Sequence, residues 1–503
     1  MFGGVLSGSG VICLRSDAFA VASHQRPGIN DSLTHLRGVP ADMRSRSVWR
    51  HPARDRYRWL KMTGLVSILL ATTAVAQPAS YGPPAPLRTR PLEDSAQAMA
   101  GLPPVGVPDV LTRLTMDVVR DHPQIKLFEG RIRAAGYDVR GAKWLRFPSL
   151  SIEALATTRG SVNAARDGTV LNAVVEQPIW AGGRINAAIN RARAQLQVQQ
   201  GLLDETARDL SLRVVQAYYD VAASARRIEI LKDALQRHRD LADTIARRVE
   251  QQVSPKSDLD LARARAAQVE QQLAFAQAQR GAGLNTLVEL TGDASPALGD
   301  VPPYDPALHH PPRDGAVEKA LSCDPRSARL LAESLVARAE QRAAKASLLP
   351  QLVGQVSSNE VLGERVGVAL RAQTGNGLSQ AAAAQGAAER VRASEQAIVS
   401  AQRELREALR LDFVNNGAAR ERIGSASAAA ASSLFVIDSY KRQFIAGRRT
   451  WLDVMNALQE STNTRLAIVE SETTAQLTTA RIALRTCAWA PRLQLDNPEP
   501  GHE

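Results

Sequence analysis

The chain has 503 residues, a formal net charge of +11 and only 4% aromatic residues. A length of this order ordinarily means about three globular domains, but abundant Ala, Arg, Gln and Leu, with few Gly inside long stretches, points to extended helix. Residues 1–76 carry ten Lys and Arg against four Asp and Glu, which leaves the rest of the chain near +5. The case for a nucleic-acid partner that a high isoelectric point suggests therefore falls away, and no nucleic acid is expected.

In chain order, residues 1–42 resemble neither a signal nor a fold, and Met43 and Met62 are alternative starts that give a more ordinary signal length. Residues 64–76, GLVSILLATTAVA, follow Arg54, Arg56, Arg58 and Lys61 and end in Ala-Val-Ala before Gln77. That is the pattern of a cleaved secretory signal; the run is shorter than the roughly 20 residues a spanning helix needs. Residues 77–104, with Pro78, Pro83, Pro84 and Pro86, form a Pro-rich segment expected to be disordered. No cysteine follows the cleavage site, so a lipid anchor there is not supported, and whether Cys323 and Cys487 pair stays open. No other apolar stretch is long enough to span. If the mature chain enters a membrane, it must do so as a β-barrel.

The chain is written twice. HPQIKLFEGRIRAAGYDVRGAKWLRFP (122–148) and DPRSARLLAESLVARAEQRAAKASLLP (324–350) both enclose an unbroken helical pattern between prolines about 25 residues apart. The second proline ends each helix, because it lacks a backbone donor and restricts the residue before it. Alternating segments follow at 149–157, 169–179, 351–357 and 365–371, with polar loops between them. Their period and length suit membrane-barrel strands. Trp144, Phe147 and Trp180 flank them as candidate membrane-interface aromatics. Four strands are too few to close a barrel, so an oligomer is expected.

From about 183 to 251, and again from about 378 to 446, there is no proline, and apolar and small residues recur at helical spacing. Each stretch predicts a helix about 100 Å long, of the length that belongs to coiled coils or helical arrays. Each meets a turn, VSPKSDLDLARA at 253–264 and IAGRRTWLDVMNA at 445–457. Ser257 and Thr450 each stand three residues before an aspartate, Asp260 and Asp453, the pattern of a capped helix start. Gly447 provides the left-handed residue of the second turn, and Ser254 with Pro255 is expected to do the same for the first. The turns lie 193 residues apart in this alignment, so about nine residues are missing from the second copy. Gly292 suits a helix end.

With these segments in view, the chain resembles the TolC family of outer-membrane efflux proteins over about residues 105–489. The resemblance is carried by the paired helix–Pro–strand segments, QPIWAGGR (177–184), AYYDV (217–221) and the two turns. It implies a mainly α fold with a membrane β-barrel contribution: a duplicated protomer with a long coiled-coil helical barrel and four barrel strands, assembled as a homotrimer. The organisation expected is leader and signal (1–76), Pro-rich segment (77–104), first repeat (105–292), connector (293–315), second repeat (316–489) and C-terminal tail (490–503). The implied location is the outer membrane with a periplasmic tunnel. The implied partners are outer-membrane lipid, a periplasmic adaptor and an inner-membrane ABC transporter or other pump.

The resemblance also implies a periplasmic gate near the turns. Asp453 matches the family's first ring aspartate, Arg449 its gate arginine and Phe444 its gate tyrosine; Asn456 stands where a second ring aspartate is expected. Gly447 and Asp260 complete the candidate set. For Asp453 and Asp260 a plain helix-start role remains open. RVGVALRAQTGNGLSQAAAAQ (365–385) and the second turn look similar to type I secretion members, with small-molecule efflux as the alternative. HExxH, CxxC and GxxxxGK[ST] are all absent, and His309-His310 lies in the Pro-rich connector as an expected solvated pair. No catalysis, cofactor or metal is expected.

Overall fold

The computed structural model describes residues 105–157, 168–299, 301–359, 363–372 and 377–491, all within one unit of the chain. The expected leader, the whole of the Pro-rich segment, the strand loops and the end of the tail lie outside the described residues. The elements in order are α1 (Asp109–Asp121), α2 (Pro123–Trp144), β1 (Ser149–Thr157), β2 (Gly168–Trp180), α3 (Arg184–Glu250) and α4 (Lys256–Thr291). The second copy continues with α5 (Ala316–Cys323), α6 (Pro325–Ala346), β3 (Gln351–Asn359), β4 (Gly363–Arg371), α7 (Ser379–Ile445) and α8 (Trp451–Arg485). Among the described residues no helix is long and apolar enough to cross a membrane.

The paired prolines have a local reason. Pro123 and Pro325 open α2 and α6, where a missing N–H costs nothing. The residue before each caps the helix: His122 accepts from the Gln124 N–H and Asp324 from the Ser327 N–H at 2.8 Å. Both helices end four residues before Pro148 and Pro350, and a strand begins directly after each proline. The α3 and α7 helices are 67 residues each, about 100 Å.

The duplication is more regular than its sequence alignment suggests. Pro123 and Pro325 are 202 apart, as are Ser149 and Gln351, whereas the starts and ends of α3 and α7 are 195 apart. Seven residues, not about nine, are missing from the second copy, and all of them fall between the start of the first strand and the start of the long helix.

The four strands form one antiparallel sheet in the order β1-β2-β3-β4. The helical core centres on α3, whose Leu203, Leu210, Val214, Tyr218 and Tyr219 bury against Leu111 and Val118 of α1, Ile125 of α2, Leu287 of α4 and Leu484 of α8. The helices approach closely where side chains vanish. A Cβ on Gly201 of α3 would lie 2.9 Å from the Arg329 Cα of α6, so the crossing of these helices is set by backbone contact.

The connector is a packed strap. His309 is buried, stacked on Tyr304, with Nδ1 2.8 Å from the Asp305 carbonyl. Its own carbonyl accepts from Asn416 of α7, and the Pro302 carbonyl accepts from Gln476 of α8. The expectation of a solvated His309-His310 pair is corrected for His309, because the stretch that holds it lies against the α7–α8 pair; His310 is exposed. Cys323 and Cys487 form a disulfide, which settles the question left open by the sequence.

Candidate functional site

Two surfaces carry the residues that the sequence singles out. The first is the end of the helices where the chain turns twice. In the second turn the α7 helix closes with the Gly447 N–H on the Phe444 carbonyl and the Arg448 N–H on the Gln443 carbonyl, with Gly447 left-handed at φ 70°. Thr450 then caps α8. Its hydroxyl accepts from the Asp453 N–H, and the Asp453 carboxylate accepts from the Thr450 hydroxyl at 2.8 Å and from its N–H. These bonds, the hydroxyl first, hold the Asp453 carboxyl below its ordinary value. Asp453 is half-buried and Arg449 stands 3.7 Å away.

The first turn has the same backbone with different residues. Gln252 takes the left-handed position of Gly447, and its N–H and that of Val253 close on the Val249 and Arg248 carbonyls. The α4 helix is opened by Pro255, with no side-chain cap. Two expectations are therefore corrected: Ser257 and Asp260 form no capping pair, and Ser254 with Pro255 does not supply the left-handed residue. Pro255, the residue equivalent to Thr450, already holds the extended conformation of a cap (φ −70°, ψ 152°), so the helix begins two residues earlier. Asp258, not Asp260, is the equivalent of Asp453, and Asp260 is exposed further along the helix.

Of the other candidates, Arg449 is exposed with its guanidinium 4.2 Å from the Tyr440 ring and its Nε donating to Gln443. Asn456 is exposed one turn beyond Asp453. Phe444 is buried with Leu241, Ile245, Leu259, Ile437, Trp451 and Met455, beneath the Arg248 guanidinium. It belongs to the core that joins the two helical hairpins. Tyr440, one turn earlier, is the aromatic that meets the gate-candidate arginine. Sequence reasoning passed over Tyr440, although its spacing of four from Phe444 puts both on one face of the helix, a turn apart.

The second surface is the sheet. Directly paired residues share a face, and the register puts Leu150, Ile152 and Ala154 beside Val175, Ala173 and Leu171, then Val356, Gly354, Leu352, and Val366, Val368, Leu370. The opposite face carries Ser149, Ser151, Glu153, Glu176, Asn172, Gln355, Ser357, Arg365 and Arg371. Arg371 makes a two-pronged ion pair with Glu176 across β3. The apolar residues of the outer strands are left in the open, Val366 at 75% and Ile152 at 65% exposed, and β1 and β4 have no further strand beside them among the described residues. Trp144, Phe147 and Trp180 are exposed together where the helices meet the strands, the first two with ring centroids 4.9 Å apart.

No cluster of His, Cys, Asp and Glu suited to a metal occurs among the described residues. Duplicated helix–strand–helix halves, a stave-like sheet and two long helical hairpins define the fold of outer-membrane channel proteins. Solved structures with this fold include VceC from Vibrio cholerae (TM-score 0.64, 18% identity, 75% of this chain and 96% of that one). The outer-membrane channel OprN matches with TM-score 0.68 at 16% identity, over 76% of this chain and 91% of OprN. The CmeC outer membrane channel of Campylobacter jejuni matches with TM-score 0.64 at 13% identity, over 76% and 86%. At these identities the likeness establishes the fold. The family model described as "Outer membrane efflux protein" matches residues 117–293, so the resemblance read from the sequence is borne out. No curated protein sequence matches.

Proposed function

We propose that the chain is one subunit of an export channel of the outer membrane, a conduit that catalyses no reaction. The observation that carries this reading is the sheet. A four-stranded sheet with one exposed apolar face, one polar face and two open edges is not a stable surface in water. Lipid against the apolar face and copies of the chain against the edges satisfy it. Three chains would give a closed twelve-strand barrel with the Glu176–Arg371 face lining the lumen, and the four long helices of each chain would continue it as a periplasmic tunnel. Trp144, Phe147 and Trp180 would sit at the bilayer interface, where ring edges suit the headgroup region. Energy would come from an inner-membrane ABC transporter or other pump, coupled through a periplasmic adaptor.

The two turns would form the periplasmic mouth. Asp453, with one carboxylate oxygen occupied by its own helix start, still has a second oxygen to offer a threefold ring of negative charge that attracts cations. Arg449, held by Tyr440 and Gln443, would be the neighbouring latch. The cargo proposed is protein, by type I secretion, on the likeness of 365–385 and of the second turn to such members. Small-molecule efflux is the second reading, favoured by the family description. A deletion strain distinguishes them. Loss of one large secreted protein with unchanged drug resistance supports type I secretion; gained drug sensitivity with an unchanged secreted proteome overturns it.

A further inference from the structure

The Arg208 side chain of α3 is largely buried and gathers two distant segments. Its guanidinium donates to the Asp324 carboxylate at 2.7 Å, to the Cys323 carbonyl at 3.2 Å and to the Cys487 Sγ at 3.3 Å. Asp324 in turn caps α6 through Ser327. One cation thus joins α3, the α5–α6 junction and the end of α8, and the Cys323–Cys487 bond ties the last two covalently across 164 residues. Both cysteines are only partly buried.

The two sulfurs are not equivalent. The guanidinium contact is to the Cys487 Sγ, while Arg208 meets Cys323 only at its carbonyl. The charged groups nearby are Asp204, Arg208 and Asp209 of α3, Asp324, and Arg485 of α8, which is paired with Asp412 of α7. The cations already have carboxylate partners, so the asymmetry lies in the direct hydrogen bond. A donor aimed at a sulfur stabilises its thiolate and makes it the better leaving group.

We propose that Cys323–Cys487 is a polarised, redox-responsive clasp whose exchange partner is a dithiol, such as a thiol–disulfide oxidoreductase, attacking at Cys323. The attacking thiolate bonds to the Cys323 Sγ, the S–S bond breaks, and its electron pair leaves on the Cys487 Sγ beneath Arg208. The partner's second thiolate then displaces Cys323, which takes a proton from water, and the partner carries away the disulfide. Oxidation runs the same steps in reverse. Opening the clasp removes the covalent tie between the end of α8 and the α5–α6 junction and leaves the Arg208 guanidinium, between Asp324 and the Cys487 thiolate, as the remaining bridge. This inference does not rest on the channel reading.

The test uses the full chain purified in detergent. Brief exposure to glutathione, an acid quench and peptide mass mapping report which cysteine carries the mixed disulfide. Adduct predominantly on Cys323 is expected; adduct on Cys487, or equally on both, overturns the proposal. As a second reading, Arg208→Lys keeps a charge for Asp324 but loses the fork that reaches sulfur. Its reduction by dithiothreitol should be slower than that of the wild type, because the Cys487 thiolate leaves less readily as its pKa rises. An unchanged rate, in a variant whose circular dichroism is unaltered, also overturns it.

Discussion

At the residue scale the proposed mouth turns on Asp453, whose carboxylate serves the start of α8. Thr450→Ala removes the hydroxyl from that reciprocal pair and should cost about 1 kcal/mol, read as a lower thermal midpoint. The sign of the pH dependence follows from the hydroxyl bond. The folded carboxyl binds a proton less readily than the unfolded one, so its contribution is complete above the ordinary Asp value of 3.8 and is lost as pH falls through the lower, folded value. Hydrogen exchange at the start of α8, followed below pH 4, should show protection falling in the wild type and less so in Asp453→Asn. The same Asp453→Asn variant keeps a capping oxygen but removes the charge, so it should weaken block of conductance by multivalent cations. Unchanged block would return Asp453 to helix capping alone. The Thr450–Asp453 pair was legible in the sequence because spacing and residue type agree. Ser257–Asp260 shows the same spacing and misleads, since a proline two residues earlier already has the backbone of a cap. That Gln252 adopts the conformation of Gly447 carries no residue-type signal, because only the closing bonds of the helix end impose it.

Among the elements, the sheet makes the strongest commitment. If its apolar face meets lipid, Val368→Arg on that face should cost roughly 2–4 kcal/mol near the bilayer midplane. Ser357→Arg, on the polar face, should be tolerated. Equal effects of the two on yield of folded, detergent-extracted protein would contradict the assignment of faces. In the helices, Gly201→Val places a side chain where the Arg329 backbone stands and should destabilise by roughly 1–3 kcal/mol, seen as earlier thermal unfolding; no shift would mean that α3 and α6 do not pack as described. The elements themselves were legible because proline and periodicity punctuate them: the strand positions agree within a few residues, as do both long helices. What packs on what was not. The connector's Pro-rich composition says only that it is irregular, and the bonds that Asn416 and Gln476 send to its carbonyls belong to tertiary structure.

For the whole molecule, the duplication was readable and the strand count already called for an oligomer, while the disulfide was not readable from the residues and the number of copies came only from the resemblance. Two cysteines 164 residues apart offer no spacing signal, and their pairing follows only once α8 returns beside the α5–α6 junction. On the proposed reading, the sheet, with its two open edges among the described residues and its uncovered apolar face, finds its complement in other copies of the chain and in lipid. A channel subunit should therefore resist extraction without detergent and run as a trimer by light scattering corrected for detergent. The central claim is tested most directly by conductance. The purified protein, added to planar lipid bilayers, should produce discrete single-channel steps whose size is altered by Asp453→Asn, whereas a monomer that stays in aqueous solution and leaves the bilayer silent would contradict the account.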